Sequence, residues 1–419
     1  MINRSIQPEI TKIKTVDFVS PKKYFVNENC AMFHMKDVTD ETVRLDLYFD
    51  AGKIRGKSGI ASFVNGVLLS GTAKKTTTEI NEIINGLGGF YNSGVSSENA
   101  VISIYCLREH LIEIFDTILD AIQHLSFDEK EVREFLSDVK QQFKINSEKV
   151  SYLAQRAFQQ ELFSNDSRYS SVITKEDIEG VEIDDLKSFH KEYYLKGLSK
   201  IVLVGNISEK EVEYIIDATK SMALNHRPEF SVNLENKPGK TLVKKKDAIQ
   251  SAIRVGKILF NKKHKDYLDF LILNTILGDY FGSRLMSNIR EEKGYTYGIG
   301  SMMAELEENG YFLIATEVGH KVKNETLTEI QKEFKRLQTD LVPQDELKLV
   351  QNYMLGQLLK SADGPYAMMD LFLSVEAQDL DLDLYNEAIH KIQEITPERI
   401  QELAVKYLNW EDFTVVVAG

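Results

Sequence analysis

The sequence predicts an α+β protein made of two homologous domains, each a mostly antiparallel sheet flanked by helices. Three observations lead there. Strand candidates neighbour one another as hairpins among amphipathic helices, which favours α+β over a doubly wound parallel fold. Residues 214 positions apart repeat: Ile178, Val181, Leu186, Phe189, Tyr193 and the run Ile201–Gly205 recur as Ile392, Ile395, Ile400, Leu403, Tyr407 and Val415–Gly419. A chain of 419 residues also exceeds one ordinary domain and suits two of about 200. Phe127 and Val132 answer to Val342 and Leu347 at a spacing of 215. The expected division is a first copy over 1–224, a polar linker over 225–240 and a second copy over 241–419.

In chain order, Ala31 to Met35 reads as a strand. So does Val43 to Phe49, where Val43, Leu45, Leu47 and Phe49 alternate with Arg44, Asp46 and Tyr48. Gly59 to Thr72 reads as one helix closed by Gly71, with Ile60, Phe63, Val64, Val67 and Leu68 on its buried face. A second helix starts near Thr76 and ends at Gly86 or Gly88-Gly89. Phe90 to Val95 and Val101 to Cys106 read as paired strands. Leu111, Ile114, Phe115, Ile118 and Ile122 stripe a third helix, and a long helix from Phe127-Asp128-Glu129 is expected to run past Phe158.

Composition bounds the function. With 43% hydrophobic and 27% charged residues the chain reads as soluble and globular. A net charge of -13 disfavours nucleic acid as a partner and permits basic peptides. No run of about 18 apolar residues predicts a membrane span, and residues 1–8 hold no apolar core of signal-peptide length, so the cytoplasm is the expected location. Cys30 and Cys106 make no disulfide framework, and Cys106 is expected in the core. No two of the eight histidines lie within five residues of each other, so no i, i+4 imidazole pair exists. The Gly-x-Ser-x-Gly nucleophile signature is absent. Gly86-Leu87-Gly88-Gly89 ends a helix and makes a poor phosphate loop. Lys244-Lys245-Lys246 and Lys262-Lys263-His264-Lys265 read as solvated surface.

The helix over 59–72 carries an odd second stripe: Ser62, Asn65, Gly66 and Ser70, small and polar. A glycine in mid-helix costs about 1 kcal/mol relative to alanine. Close packing of the helix is one reason for such a stripe. The frame Gly-Ile-Ala-x-Phe-Val-x-x-Val-Leu-Leu-Ser-Gly-Thr gives another, because it resembles the zinc helix of the pitrilysin/insulinase family of metallopeptidases. That family carries His-x-x-Glu-His: two histidines on one helix face grip Zn²⁺ and the glutamate activates water. Ser62, Asn65 and Gly66 occupy those three positions. The place of the third ligand falls near Gln141-Gln142-Phe143, without a carboxylate. The resemblance therefore implies a degenerate zinc site and no metal in this chain. It also implies two domains facing each other across a chamber.

The second copy holds Ser283-Arg284-Leu285 and then Asn288-Ile289-Arg290-Glu291-Glu292-Lys293-Gly294-Tyr295-Thr296-Tyr297-Gly298. This resembles the family's Arg-x-x-x-x-x-x-Tyr element, whose arginine and tyrosine orient substrate and stabilise the oxyanion. Arg290 and Tyr297 match it and are the candidate catalytic residues; a charged donor and a phenol aimed at developing negative charge suit that task. Read without the resemblance, Arg290 is a surface ion-pair residue and Tyr297 a strand core residue. Arg284 is expected to be structural. Short members of the family often work in pairs, one subunit bringing the metal helix and the other the arginine and tyrosine. The resemblance thus implies the non-catalytic partner subunit of a heterodimeric, processing-peptidase-like enzyme acting on peptides, with zinc on a homologous partner chain and self-pairing in isolation. The alternative is a non-enzymatic scaffold or peptide-binding protein derived from the peptidase fold.

Overall fold

Apolar residues on successive positions of a strand require cover on both faces, and the chain meets that requirement twice. The computed structural model describes residues 13–38, 40–226, 232 and 234–419. Its first sheet contains β1 (Lys22–Asn27), β2 (Cys30–Met35), β3 (Thr42–Phe49), β4 (Phe90–Val95), β5 (Ala100–Leu107) and β6 (Leu198–Val204), in the order β1-β2-β6-β3-β5-β4. The second contains β7 (Gly239–Val243), β8 (Gln250–Leu259), β9 (Thr296–Glu305), β10 (Gly310–Gly319) and β11 (Thr414–Ala418), in the order β7-β11-β8-β10-β9. Without β1 the two orders coincide. Each sheet is antiparallel except for one pair, β2 with β6 and β7 with β11. The α+β class with two mostly antiparallel sheets flanked by helices is therefore observed.

The first half's main helices are α1 (Ile60–Val67), α2 (Thr77–Gly86), α3 (Leu111–Gln123), α4 (Glu129–Asn146) and α5 (Val150–Leu162). Helix Gln344–Ser361 answers α4, and helix Gly364–Glu376 answers α5. Two expectations need correction. The long helix past Phe158 is two helices. The chain breaks at residues 147–149, where the Ser147 hydroxyl donates to the Phe143 carbonyl (2.7 Å) and the Lys149 amide to the Asn146 carbonyl (2.9 Å). The helix over 59–72 stops at Val67. Ser70 N–H reaches back only to the Val67 carbonyl, and Gly71 turns the chain with φ +102° so that Thr72 bridges to Leu125. Strand β1 was not expected from the sequence. Of the expected linker, residues 227–231 and 233 lie outside the described residues, and β7 already begins at Gly239 within it. No helix among the described residues is long and apolar enough to cross a membrane.

One face of each sheet packs on helices of its own half. Met32, Leu45, Leu47, Ile102, Ile104, Ile201 and Leu203 meet α1, α2 and α3. Ile253, Val255, Phe312, Ile314, Val415 and Val417 do the same in the second half. The opposite faces are covered by exchange. Helix α5 lays Ala154, Phe158 and Leu162 on Ala252, Leu313, Val416 and Ala418 of the second sheet. In return, helix Gly364–Glu376 lays Met369 on Phe33, Met35, Val202 and Val204 of the first, with Phe372 at 4.9 Å from Phe33. This accounts for the break at 147–149: α4 packs in the first half, and α5 must turn away to reach the second.

Polar contacts ring both exchanges. Arg44 bridges Asp46 (2.7 Å) and Asp370 (2.6 Å), and Lys200 pairs with Glu376. Thr241 donates to Glu161 (2.9 Å), and Arg254 to Gln155 (3.2 Å). Glu98, in the β4–β5 turn, accepts from Tyr169 (2.7 Å) and from the Glu307 amide (2.8 Å) in the β9–β10 turn.

Gly256 explains how Phe158 fits. A Cβ there would stand 2.6 Å from Phe158 Cζ and 2.4 Å from the Phe312 carbonyl, so the ring of Phe158 occupies a socket that only glycine leaves open. Phe158→Ala is expected to cost about 3–5 kcal/mol in urea unfolding, the value for an uncollapsed aromatic cavity. A cost below about 1 kcal/mol would mean the exchanged helix does not hold the halves together.

Candidate functional site

The candidate site begins on α1. Ile60, Phe63, Val64, Val67 and Leu68 are all buried in the first core, as expected. The small polar stripe is filled by neighbours. Ser62 is half-buried on the wall of a cavity of about 30 Å3, shared with Ser58, Ser97, Arg168 and Tyr169, with room for a water or two. Asn65 is buried, and its Nδ2 donates to the Tyr194 hydroxyl at 3.2 Å. Tyr194 is fully buried, 4.9 Å from the Phe49 ring and 6.0 Å from the His190 ring. Burial holds its phenol well above the usual tyrosine range, so it stays neutral. At Gly66 a Cβ would come within 2.3 Å of Phe135 Cζ on α4. Gln141 and Gln142 are exposed, and Phe143 packs against Tyr152 (6.3 Å) beneath the Arg156 guanidinium (5.4 Å).

These residues do not fit a divalent cation. Asn65 can offer only a neutral amide oxygen and Ser62 a hydroxyl, with no set of charged or imidazole ligands beside them among the described residues, and the space a side chain would need at Gly66 belongs to Phe135. Among the described residues no group of three or more His, Cys, Asp or Glu could hold a metal ion. Close packing accounts for Asn65 and Gly66, and the partners Phe135 and Tyr194 carried no signal in the sequence.

The second constellation sits between Leu285 and β9. Met286–Glu292 is a π-helical turn, a departure from α-helix found often at functional sites. Met286 and Ile289 anchor it in the core, and Asn288 Nδ2 donates to Glu333 (2.7 Å) and Glu329 (3.1 Å). The turn leaves Arg290 on the surface with its guanidinium 4.6 Å above the Phe281 ring, the distance of a cation–π contact. Glu291 lies 3.8 Å away, a weak rim pair.

Tyr297 is not a core residue. It is 94% exposed, and the β9–β10 register explains why. Ile299 faces Thr316 and Thr296 faces Val318, so Tyr297 and Gly298 together oppose Glu317 alone. This bulge points the phenol outward. Two threonines fasten it: Thr296 Oγ1 donates to the Glu317 carbonyl (2.7 Å) and Thr316 Oγ1 to the Gly298 carbonyl (2.9 Å).

Arg284 is structural, bidentate to Glu346 at 2.9 Å. Lys262 is not solvated surface: its Nζ donates to Glu305 (2.7 Å) and to the Ser374 carbonyl (3.2 Å). The structure brings Arg290 and Tyr297 to the two ends of one short stretch. Among the described residues no hydrogen bond, ion pair or ring contact joins either to Ser62, Asn65 or Gly66. Phe281, the platform under Arg290, was missed, because a lone aromatic beside a glycine has no periodicity to flag it.

Comparison with known proteins gives a consistent picture. Residues 32–175 match the family described as Insulinase (Peptidase family M16), and residues 180–354 match the Peptidase M16 inactive domain. The chain is 25% identical to the uncharacterized zinc protease YmxG of Bacillus subtilis over 86% of its own length and 88% of that protein. It is 22% identical to the non-peptidase homolog YmxG of Helicobacter pylori over 87% and 85%. Among solved structures, a peptidase M16 inactive domain from Pseudomonas fluorescens aligns with a TM-score of 0.85 at 22% identity, covering 96% of this chain and 98% of that one.

Two outcomes are expected around α1. Gly66→Ala sets an overpacking cost of about 1–3 kcal/mol against about 1 kcal/mol gained in helix propensity, so Gly66→Ala made in a Phe135→Leu background should be more favourable than Gly66→Ala alone in the same unfolding assay; equal effects in the two backgrounds would place Phe135 away from Gly66. His190 supplies the second. Its Nε2 donates to the Ile122 carbonyl at 2.8 Å, and burial pushes its pKa down. A depressed histidine contributes stability that is present above its unfolded pKa of about 6.5 and lost as pH falls through the folded value. Unfolding free energy should therefore fall below about pH 6.5, with His190 contributing a slope of up to about 1.4 kcal/mol per pH unit, and His190→Gln should reduce the slope, leaving the part due to His34, whose pKa burial also pushes down.

Proposed function

The chain belongs to the insulinase family, peptidase family M16, and we propose that within it this protein is the metal-free subunit of a heterodimeric zinc peptidase acting on peptides. The zinc sits on a homologous partner chain. Arg290 and Tyr297 complete that partner's site: the guanidinium and the phenol donate to the peptide carbonyl as negative charge develops on it. The observation that carries this reading is a contrast between the two halves. In the first, the metal positions are filled by Phe135 and tied to Tyr194. In the second, a π-helical turn and a fastened bulge hold Arg290 and Tyr297 at the surface, with no internal hydrogen-bonding partner for the phenol among the described residues. Presenting an exposed tyrosine from a bulge has no packing benefit; presenting it to a second chain does.

The second reading, a non-enzymatic scaffold or peptide-binding protein, has its own support. A relative that aligns over most of the chain bears the name non-peptidase homolog, and the π–cation contact with Phe281 gives Arg290 a place without any substrate. On that reading the chain associates and binds but adds nothing to turnover.

The test is reconstitution. The chain alone should hydrolyse no peptide and hold well under one zinc per chain by metal analysis. Mixed with a relative that carries intact His-x-x-Glu-His, it should form an active complex. Arg290→Ala or Tyr297→Phe should then lower kcat about 10²–10³-fold while the complex still elutes as one species. Full activity of both variants would remove Arg290 and Tyr297 from the site, and no gain in activity on mixing would favour the scaffold.

A further inference from the structure

The repeat exposes a difference between the halves that the peptidase reading does not use. Register makes Met32 opposite Ile201 the counterpart of Lys240 opposite Val415, and His34 opposite Leu203 the counterpart of Leu242 opposite Val417. Met32 and His34 are buried. Strand β1 lies along the outer edge of β2, with Tyr24 opposite Met32 and Lys22 opposite His34. Lys240 is exposed and Leu242 is 61% exposed. Among the described residues nothing pairs with the outer edge of β7, which is the last strand of its sheet.

The uncovered edge has a built geometry. Gly239 N–H donates to the Phe413 carbonyl and the Val243 carbonyl accepts from Gly419 N–H, so residues 239, 241 and 243 address β11. The N–H and C=O of Lys240 and Leu242 then point outward, because backbone polar groups alternate sides along a strand. Beside them runs a groove of about 440 Å3, whose apolar walls are Leu327, Trp410, Phe413 and Val415. Lys237, Lys240, Lys244 and Lys246 line the same edge and are all exposed, with no ion pair among the described residues; Lys245 alone is engaged, with Glu148. Glu411 is the one carboxylate on the groove wall. On a chain of net charge -13, this is a local excess of positive charge. Edge lysines also discourage like strands from pairing. They do not discourage an acidic one, and a protective role leaves the apolar groove and Leu242 unexplained.

We propose that the outer edge of β7 is a docking site for an extended acidic segment of another polypeptide. The segment adds as a strand to Lys240 and Leu242, as β1 adds to β2, and seats one apolar side chain in the groove beside Trp410. Its carboxylates meet the four free lysines. This is strand addition, with charge selecting the partner.

Trp410 is the chain's single tryptophan, so the groove carries its own reporter. The probe is a synthetic peptide of alternating glutamate and valine with one central phenylalanine, titrated into the full-length chain, with the same peptide in lysine for glutamate as control. A saturable Trp410 emission change is expected with the acidic peptide only, weakening at least about threefold when salt is raised to about 0.3 M. Leu242→Pro removes one outward N–H and no bond to β11; it should weaken binding at least about tenfold. Should that variant fail to fold, the surface pair Lys240→Glu with Lys244→Glu should abolish acidic-peptide binding and admit the lysine peptide. No emission change up to about 1 mM peptide, a concentration at which any site worth about 4 kcal/mol would respond, overturns the proposal. So does unchanged binding in the variants. Self-association of the unliganded chain in sedimentation, lost in Leu242→Pro, would also overturn it by making a second copy the occupant.

Discussion

Each sheet in this chain is finished by a helix borrowed from the other half. Phe158 of α5 sits in the Gly256 socket of the second sheet, and Met369 sits on Val202 and Val204 of the first. Neither half can cover both faces of its own sheet, so neither is complete alone. Burying side chains of this size stabilises by about 1.5–3 kcal/mol each, and several do so on each side. The surrounding ion pair of Arg44 with Asp370 adds orientation more than energy, since partly exposed ion pairs contribute little. The exchange fixes how the two sheets sit, and the position of Arg290 and Tyr297 relative to α1 follows from it.

Helix α1 keeps its place independently of Ser62, Asn65 and Gly66. In the described structure it packs through Ile60, Phe63, Val64, Val67 and Leu68, which form the opposite stripe. The stripe that remains is satisfied locally. Asn65 supplies the hydrogen bond that buried Tyr194 requires, and Phe135 fills the volume over Gly66. A buried hydroxyl left without a partner would cost about 1–3 kcal/mol, so Asn65 is now held by a stability constraint of its own. Ser62, on the wall of a small polar cavity, has no comparable tie.

Much of this was legible in the sequence because it rests on burial, and burial leaves a period. The 214-residue repeat became matching sheet orders, and the alternation of Val43, Leu45, Leu47 and Phe49 became β3. What the sequence hid depends on contacts between distant segments. The break after Asn146 has no glycine or proline to announce it; it exists because α4 and α5 serve different halves. The β1 strand, with lysines at two of its six positions, reads as surface until β2 is beside it. Asn65 looked like a lost glutamate, and only the position of Tyr194 gives it a present role. Without the family resemblance Tyr297 reads as a strand core residue, because spacing alone does not mark a bulge. The bulge that turns it outward is set by Thr296 and Thr316, twenty residues apart, and no local pattern encodes that pairing.

The two exposed features of the second half have a common origin in the way its sheet ends. A sheet has two edges, and each must be paired, covered or charged. The first sheet ends on one side in β1, which carries Lys22 and Lys23, and on the other in the six-residue β4. The second sheet charges β7 with lysines and bulges β9 at Tyr297. A bulge interrupts the regular ladder that a stray strand would need, and it also frees a side chain to point away from the sheet. The same local irregularity can therefore protect the edge and present the phenol. The bulge at Tyr297 and the lysines of β7 are thus two answers to one constraint, an unpaired sheet edge.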